Sequence, residues 1–598
     1  MKRESGILLH ISSLPSKYGI GTMGKEAYRF VDFLKKAKQS IWQILPIGPT
    51  GYGDSPYQSF SVFAGNPYFI DLDMLLESGL LTENEIKEPG LPEKSGPIDY
   101  GELFLKRMPI LRKAFERGFV ADDPDYLTFL ERNAVWIYDY SFFSALKTHF
   151  DYAPLSEWQV SIRTREQGAM HILGSMLEEE INFHRFVQYL FFRQYGALRD
   201  YAAKNGVKIF GDIPIYPSPD SADVWSWPQD YQLDHSRDPK AVAGVPPDYF
   251  SDDGQLWGNP LYNWEQHRSE GYRWWLLRFA HLNGLFDLVR IDHFRGLHTY
   301  FCIPRGYNSA RYGHWERGPG VEFVDLIKRT YPELQLVAED LGDLDDSVHD
   351  FVRDTGLPGM RVYQFAFDNP DSPYLPHNHI RNTVVYTGTH DNDTLAGWLS
   401  KSSEEAAQAR EYFGLGNRAT EILDVIKAGM ASVADRFIAP IQDYLELDSK
   451  HRMNTPSVAF GNWVFRLTET DLDDALAEKI AALTVLYART EPELPEKTIS
   501  EIEKETSFPL LSQPDGLDAA VTESGETALF SGFKTVEKAP EGPYDSEYEL
   551  ILPGKGEEKQ EDETTPLNDY VPGGDEEAFD PDNFEILPIE PNLLYQLD

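Results

Sequence analysis

At 598 residues, 41% hydrophobic and 13% aromatic, the chain has enough apolar surface for a large core, which excludes wholesale disorder. Its net charge of −42, from 55 basic and 97 acidic side chains, excludes nucleic acid or an anionic membrane as the main partner, because phosphate binding needs local positive charge. A single cysteine, Cys302, leaves room for neither a disulfide framework nor a cysteine-rich metal site.

The opening MKRESGILLHISS has a short apolar stretch and no small-residue cleavage pattern. No run approaches the roughly 18 apolar residues of a bilayer span. A cytoplasmic protein without a secretory leader is expected. Apolar runs then recur at 6–11, 41–47, 207–213, 285–291, 334–340, 360–365, 382–387 and 436–441. Most are apolar nearly throughout, the pattern of parallel strands covered on both faces. Amphipathic helical patterns lie between several of them, as at 26–37 and 323–330. Eight such strands alternating with helices predict a (β/α)8 barrel over residues 1–490.

Uneven spacing marks insertions. Helical patterns at 101–117, 125–150 and 181–205 predict a helical insertion over about 72–205. A second excursion, about 216–265, is rich in Pro, Asp, Trp and Tyr with little periodicity. It reads as a structureless, lid-like functional loop. Residues 491–598 carry 29 acidic and 6 basic side chains, net −23, with 12 prolines and no Arg, His or Trp. Such a tail is expected to be mostly disordered, because its short apolar islands cannot offset the entropy of ordering.

Barrel enzymes work at the carboxyl ends of their strands. Four runs finish there in carboxylates: Asp212, Asp292, the pair Glu339 and Asp340, and the pair Asp391 and Asp393. Each alone reads as a turn or helix cap; four on separate strands point to a site. Arg290 and Asp292, two apart on a strand, share a face, so the guanidinium is expected to keep Asp292 ionised as a nucleophile. A second carboxyl in a more apolar setting would stay protonated as an acid, completing the apparatus of retaining glycoside chemistry. Parity leaves open the choice between Glu339 and Asp340, and between Asp391 and Asp393. Trp225, Trp227, Tyr249, Phe250, Trp257, Tyr262 and Trp264 crowd the second excursion beside Asp and amide side chains. Some of these would stack on sugar rings and the others pack the loop.

Other motifs fail. GIGTMG at 19–24 has the spacing of a dinucleotide loop, but it stands seven residues from its strand and no acidic residue follows the next one. The acidic clusters lack calcium-loop spacing, and no histidine pair has zinc spacing. Neither a cofactor nor a metal is expected.

The sequence resembles the 4-α-glucanotransferases of glycoside hydrolase family 77 over about residues 6–487. The motifs that carry the resemblance are LPIGPTGYGDSPYQSF at 45–60, GDIPI at 211–215, GVPPDYF at 244–250, GQLWGNP at 254–260, RIDHFRG at 290–296, VAEDLG at 337–342, GTHDNDT at 388–394 and RMNTP at 452–456. The resemblance implies Asp292 as nucleophile, Glu339 as acid/base and Asp391 as transition-state stabiliser. It also implies that Tyr57, Asp212, Arg290, His293 and His390 line the reacting-glucose subsite, and that the 249–257 segment, with Tyr249, Phe250, Gln255 and Trp257, is a loop over acceptor and donor sites. The implied partners are α-1,4-glucans: maltooligosaccharides, amylose and glycogen-derived dextrins. An α-amylase-like hydrolase, which uses the same carboxylate trio, is the alternative.

Overall fold

The computed structural model of the chain describes residues 3–490 except 52, 93–94, 248–252, 343 and 417–421. Among these, twelve strands follow in order: β1 (Glu4–Leu8), β2 (Ile41–Gln43), β3 (Lys208–Ile213), β4 (Ala241–Val245), β5 (Gln255–Pro260), β6 (Leu288–Ile291), β7 (Thr299–Pro304), β8 (His314–Arg317), β9 (Gln335–Ala338), β10 (Gly359–Val362), β11 (Thr383–Tyr386) and β12 (Arg436–Pro440). Eight of them form one parallel sheet in the order β10-β11-β12-β1-β2-β3-β6-β9. Its two ends meet. The Ala338 N–H donates to the Pro358 carbonyl just before β10 (2.9 Å), while the Asp340 carboxylate accepts from the Met360 N–H (2.6 Å) and pairs with Arg361 (2.9 Å). The outcome is a closed (β/α)8 barrel, and each predicted apolar run coincides with one of its strands.

The barrel's lumen holds polar pairs at several levels, with Ile41 and Ile438 closing in on Gly6 between them. At the strands' N-terminal ends Arg436 pairs with Glu4 (3.5 Å) and hydrogen-bonds Gln335. Higher up, the Tyr386 hydroxyl donates to the Gln43 side chain (3.0 Å). Near the carboxyl ends Arg290 meets Asp212. Further apolar packing lies outside the barrel wall. The Lys25–Lys36 helix buries Ala27, Phe30, Val31, Phe33 and Leu34, a stripe at helical spacing, and Phe30 meets Trp42 of β2 edge-on at 5.0 Å. The glycines of the 19–24 motif answer to close packing. A Cβ on Gly21 would lie 1.9 Å from the Ile11 carbonyl, and one on Gly24 2.0 Å from the Asp71 carboxylate.

Between β2 and β3 the described residues are mainly helical, from Leu72–Glu77 to Glu178–Lys204. The continuous pattern at 125–150 is in fact two helices, Pro124–Arg132 and Ile137–His149. Asn133 separates them: its amide donates to the Phe129 carbonyl (2.8 Å) and accepts from the Trp136 indole (3.1 Å), so a side chain competes with the helical ladder.

The 216–265 excursion is not structureless, which corrects that expectation. β4 and β5 pair antiparallel, and β7 and β8 extend them into a second sheet of order β5-β4-β7-β8. These strands are short, and β5 contains Gly258 at φ 81° and ends in Pro260, residues that weaken a strand pattern and suit an edge. Trp225, Tyr262 and Trp264 are buried and serve packing; the Trp225 indole donates to the Ile162 carbonyl (3.0 Å). Tyr249, Phe250 and the 491–598 tail lie outside the described residues. Among those described, no helix is long and apolar enough to cross a membrane.

Candidate active site

The carboxyl ends of β2, β3, β6, β9 and β11 open on one mouth of the barrel. Asp212 and Arg290 occupy paired positions of β3 and β6. The Arg290 Nη1 donates to both Asp212 oxygens (2.9 and 2.8 Å), and its Nη2 lies 2.7 Å from Asp292 Oδ1. Asp212 is fully enclosed, and the Tyr57 hydroxyl donates to its Oδ2 (2.9 Å). It therefore works from beneath, orienting Arg290 and Tyr57, whereas Asp292 keeps 32% of its side-chain surface open to the mouth.

Tyr57 links this floor to the opposite wall. Its ring stacks on His390 at 5.1 Å between centroids, and its hydroxyl lies 3.4 Å from His390 Nδ1. The other imidazole nitrogen stands 3.3 Å from Asp391 Oδ2. One polar chain thus runs from Asp391 through His390, Tyr57, Asp212 and Arg290 to Asp292.

A second arm leads to Glu339. His293 follows Asp292 in the left-handed region, at φ 52°, a conformation costly for a side-chain-bearing residue and frequent at functional sites. The strained turn aims the His293 N–H at Glu339 Oε2 (2.8 Å), and the Leu341 N–H binds Oε1 (3.0 Å). Trp257 packs edge-on against the His293 ring at 4.7 Å, and its indole donates to the Gln255 side chain (3.0 Å). β5 therefore forms the wall of the mouth beside the carboxylates. Asp340 and Asp393 face elsewhere. Asp340 closes the barrel, and Asp393 pairs with Lys401 (2.8 Å) and accepts from the Ser449 hydroxyl (3.1 Å).

Electrostatics separates the three mouth carboxyls. Burial pushes Glu339 up to about 7, with Arg290 pulling down and Asp292 pushing up. Asp292 is also raised, by burial against the pull of Arg290, with Asp212 and Asp391 adding to the rise. In this coupled pair the direct guanidinium contact of Asp292 leaves the shared proton on Glu339. Burial works against ionising Asp391 too, but His390, Asn454 and Arg290 hold it well below the usual carboxylate range. Burial likewise opposes protonation of His390, yet Asp391 keeps it above its ordinary value. His293 is driven down to about 3 by burial and is neutral.

Three contributors carried no sequence signal of their own. Asn454 Nδ2 donates to Asp391 Oδ1 (2.6 Å), and Arg452 Nη2 donates to the Asp391 carbonyl (2.5 Å). Trp463 packs against both Tyr57 (5.9 Å) and His390 (5.8 Å). Asn454 and Arg452 belong to the RMNTP motif, but nothing local shows that they reach Asp391, 61 or more positions away. Removing the Asn454 amide takes away a charge-assisted hydrogen bond. Asn454→Ala is expected to lower kcat by roughly tenfold, equivalent to about 1.4 kcal/mol, with KM little changed, as read from steady-state kinetics.

A profile of the family described as 4-alpha-glucanotransferase matches residues 9–472. The 4-alpha-glucanotransferase of Clostridium butyricum is 45% identical over 487 residues, covering 81% of this chain and 100% of its own length. That of Thermus thermophilus is 44% identical over 496 residues, covering 81% and 98%. The solved structure of amylomaltase from Streptococcus agalactiae in complex with acarbose matches with a TM-score of 0.79 at 38% identity, covering 82% of this chain and 100% of that one. Similar in sequence and fold over nearly the whole length of these relatives, the chain belongs to the glycoside hydrolase 77 family of 4-α-glucanotransferases.

Proposed function

We propose that Asp292, Glu339 and Asp391 perform a retaining exchange on α-1,4-glucans such as maltooligosaccharides, amylose and glycogen-derived dextrins. The observation that carries this reading is the contrast between Asp292, in contact with the Arg290 guanidinium at 2.7 Å, and Glu339, held by the backbone N–H groups of His293 and Leu341 and pushed upward by burial. Two carboxyls of opposite protonation beside one opening suit a nucleophile and an acid.

In the first step an Asp292 oxygen bonds to the anomeric carbon as the glycosidic C–O bond breaks. The Glu339 proton passes to the departing 4-oxygen, leaving a β-glucosyl ester. In the second step Glu339, now a carboxylate, takes the proton of an incoming 4-hydroxyl. That oxygen displaces Asp292, and two inversions restore the α configuration. Asp391, kept ionised, accepts hydrogen bonds from sugar hydroxyls and balances the positive charge on the flattening ring. Tyr57, His293 and His390 line the reacting subsite above Asp212 and Arg290. Gln255 and Trp257, on β5 beside His293, line the neighbouring acceptor and donor sites and help to keep bulk water from competing with the acceptor.

Because the first step needs Glu339 protonated, activity should fall on the alkaline side through a limb near pH 7 as that proton is lost, and on the acid side as Asp292 gains one. A pH series of kcat/KM from maltotriose checks this, and in Glu339→Gln the alkaline limb should vanish along with most of the rate. Incubation with maltotriose tests the reaction type. Transfer yields glucose with longer chains at a constant count of reducing ends, whereas a hydrolase would raise that count with time.

A further inference from the structure

In the second sheet, β7 and β8 place Tyr300 opposite Glu316 and Cys302 opposite His314. Residues two apart on a strand share a face, so all four side chains stand together. The other face of β7 carries Phe301 and Ile303, packed with Ala310 and Val242. Ligand atoms of Cys302, His314 and Glu316 all lie within 4.8 Å of one another, a grouping found once among the described residues. His314 Nε2 is 3.1 Å from Glu316 Oε1. The Tyr300 hydroxyl donates to the other Glu316 oxygen (2.5 Å) and accepts from the Gln232 amide (3.2 Å). Cys302 is buried at the base, while His314 is 57% open to solvent, which provides an entry path.

We propose that Cys302, His314 and Glu316 form a binding site for a zinc-class divalent cation, with water in the fourth position. The donor set decides the class. A thiolate, an imidazole and a carboxylate suit a borderline-soft ion of tetrahedral preference, whereas calcium and magnesium take oxygen ligands only. With His314 neutral, the two anionic ligands balance the ion's charge. Bonds of about 2.0–2.3 Å require donor atoms roughly 3.3–3.8 Å apart, within the spread of up to 4.8 Å that the three donor atoms now occupy. Tyr300 and Gln232 behind Glu316 orient the carboxylate, as outer partners of metal ligands commonly do. Binding releases the thiol proton to solvent and pins the edge strand β8 to β7, in the same sheet that carries Gln255 and Trp257.

Cys302 is the only cysteine of the chain, so any thiolate-to-metal absorption reports on this residue alone. Full-length, tag-free protein titrated with Co2+ should develop a thiolate-to-cobalt charge-transfer band that saturates at one ion per chain and is erased by Zn2+. Cys302→Ser should lack the band while turning over maltotriose at the wild-type, metal-free rate. His314→Gln and Glu316→Gln, both on the exposed edge strand, should each weaken Co2+ binding roughly tenfold or more, and they carry the test if Cys302→Ser fails to fold. Absence of the band at saturating Co2+, or Zn2+ affinity unchanged in the His314 and Glu316 variants, would reduce the trio to a hydrogen-bonded cluster and overturn the proposal.

Discussion

Asp292→Asn is expected to lower kcat/KM for maltotriose disproportionation by about 10³-fold or more, a loss of about 4 kcal/mol of transition-state stabilisation. The amide is nearly the same size, so it fills the same space, but it cannot form the ester intermediate. The loss should be catalytic, not structural. Arg290 keeps its two-oxygen pairing with Asp212 through Nη1, so the guanidinium is not left buried and unpaired, the condition that makes broken ion pairs so destabilising. An unchanged melting curve together with the absence of both glucose and longer chains is the expected pair of results. Turnover near the wild-type rate would remove Asp292 from the nucleophile's role.

The largest stability effect is expected at the other end of the barrel, from Arg489→Ala. Arg489 is 1% exposed, and its five N–H groups reach five backbone carbonyls: Met430 (2.8 Å), Glu4 (2.8 Å), Ala434 (3.2 Å), Gly429 (3.2 Å) and Ser432 (3.1 Å). Gly429 and Met430 lie in the last turn of the Ile422–Ala431 helix, whose free carbonyls and dipole favour a cation. Glu4 opens β1, and Ala434 stands just before β12, so one side chain fastens a helix end to two neighbouring strands. Alanine would leave these carbonyls facing a cavity, at a cost of about 4 kcal/mol, read from urea unfolding followed by tryptophan fluorescence. The same contacts set the boundary of the catalytic unit that we propose at 490. A chain ending after Thr490 should fold and disproportionate normally, whereas one ending after Ala488 should behave like Arg489→Ala.

The barrel was legible because its strands are covered on both faces, so each shows as an unbroken apolar run whatever the register. The predicted boundaries overshoot where apolar residues continue past the ladder, as in Ile44 to Ile47 beyond β2. The second sheet escaped notice for the opposite reason. Its strands mix apolar with polar residues and glycine, and two of them, β7 and β8, lie after the turn at His293, outside the excursion that drew attention. At the mouth, the spacing of Arg290 and Asp292 could be read from strand geometry. The Asp340 and Asp393 alternatives could not be dismissed that way, because the chain has left the strand and no period governs which side a residue faces. Family resemblance favoured Glu339 and Asp391 there. The structure adds that Asp340 and Asp393 are already engaged, by Arg361 and by Lys401. Asn454, Arg452 and Trp463 were beyond any local reading, since their partners lie far away along the chain.

The placement of Arg489 has a practical consequence. Because it is sewn to the strands' starting ends, Arg489 sits at the pole of the barrel opposite the mouth at the carboxyl ends. A linker to a resin, a cellulose-binding module or a second enzyme, joined to a chain ending there, would hold the catalyst with that mouth turned away from its anchor.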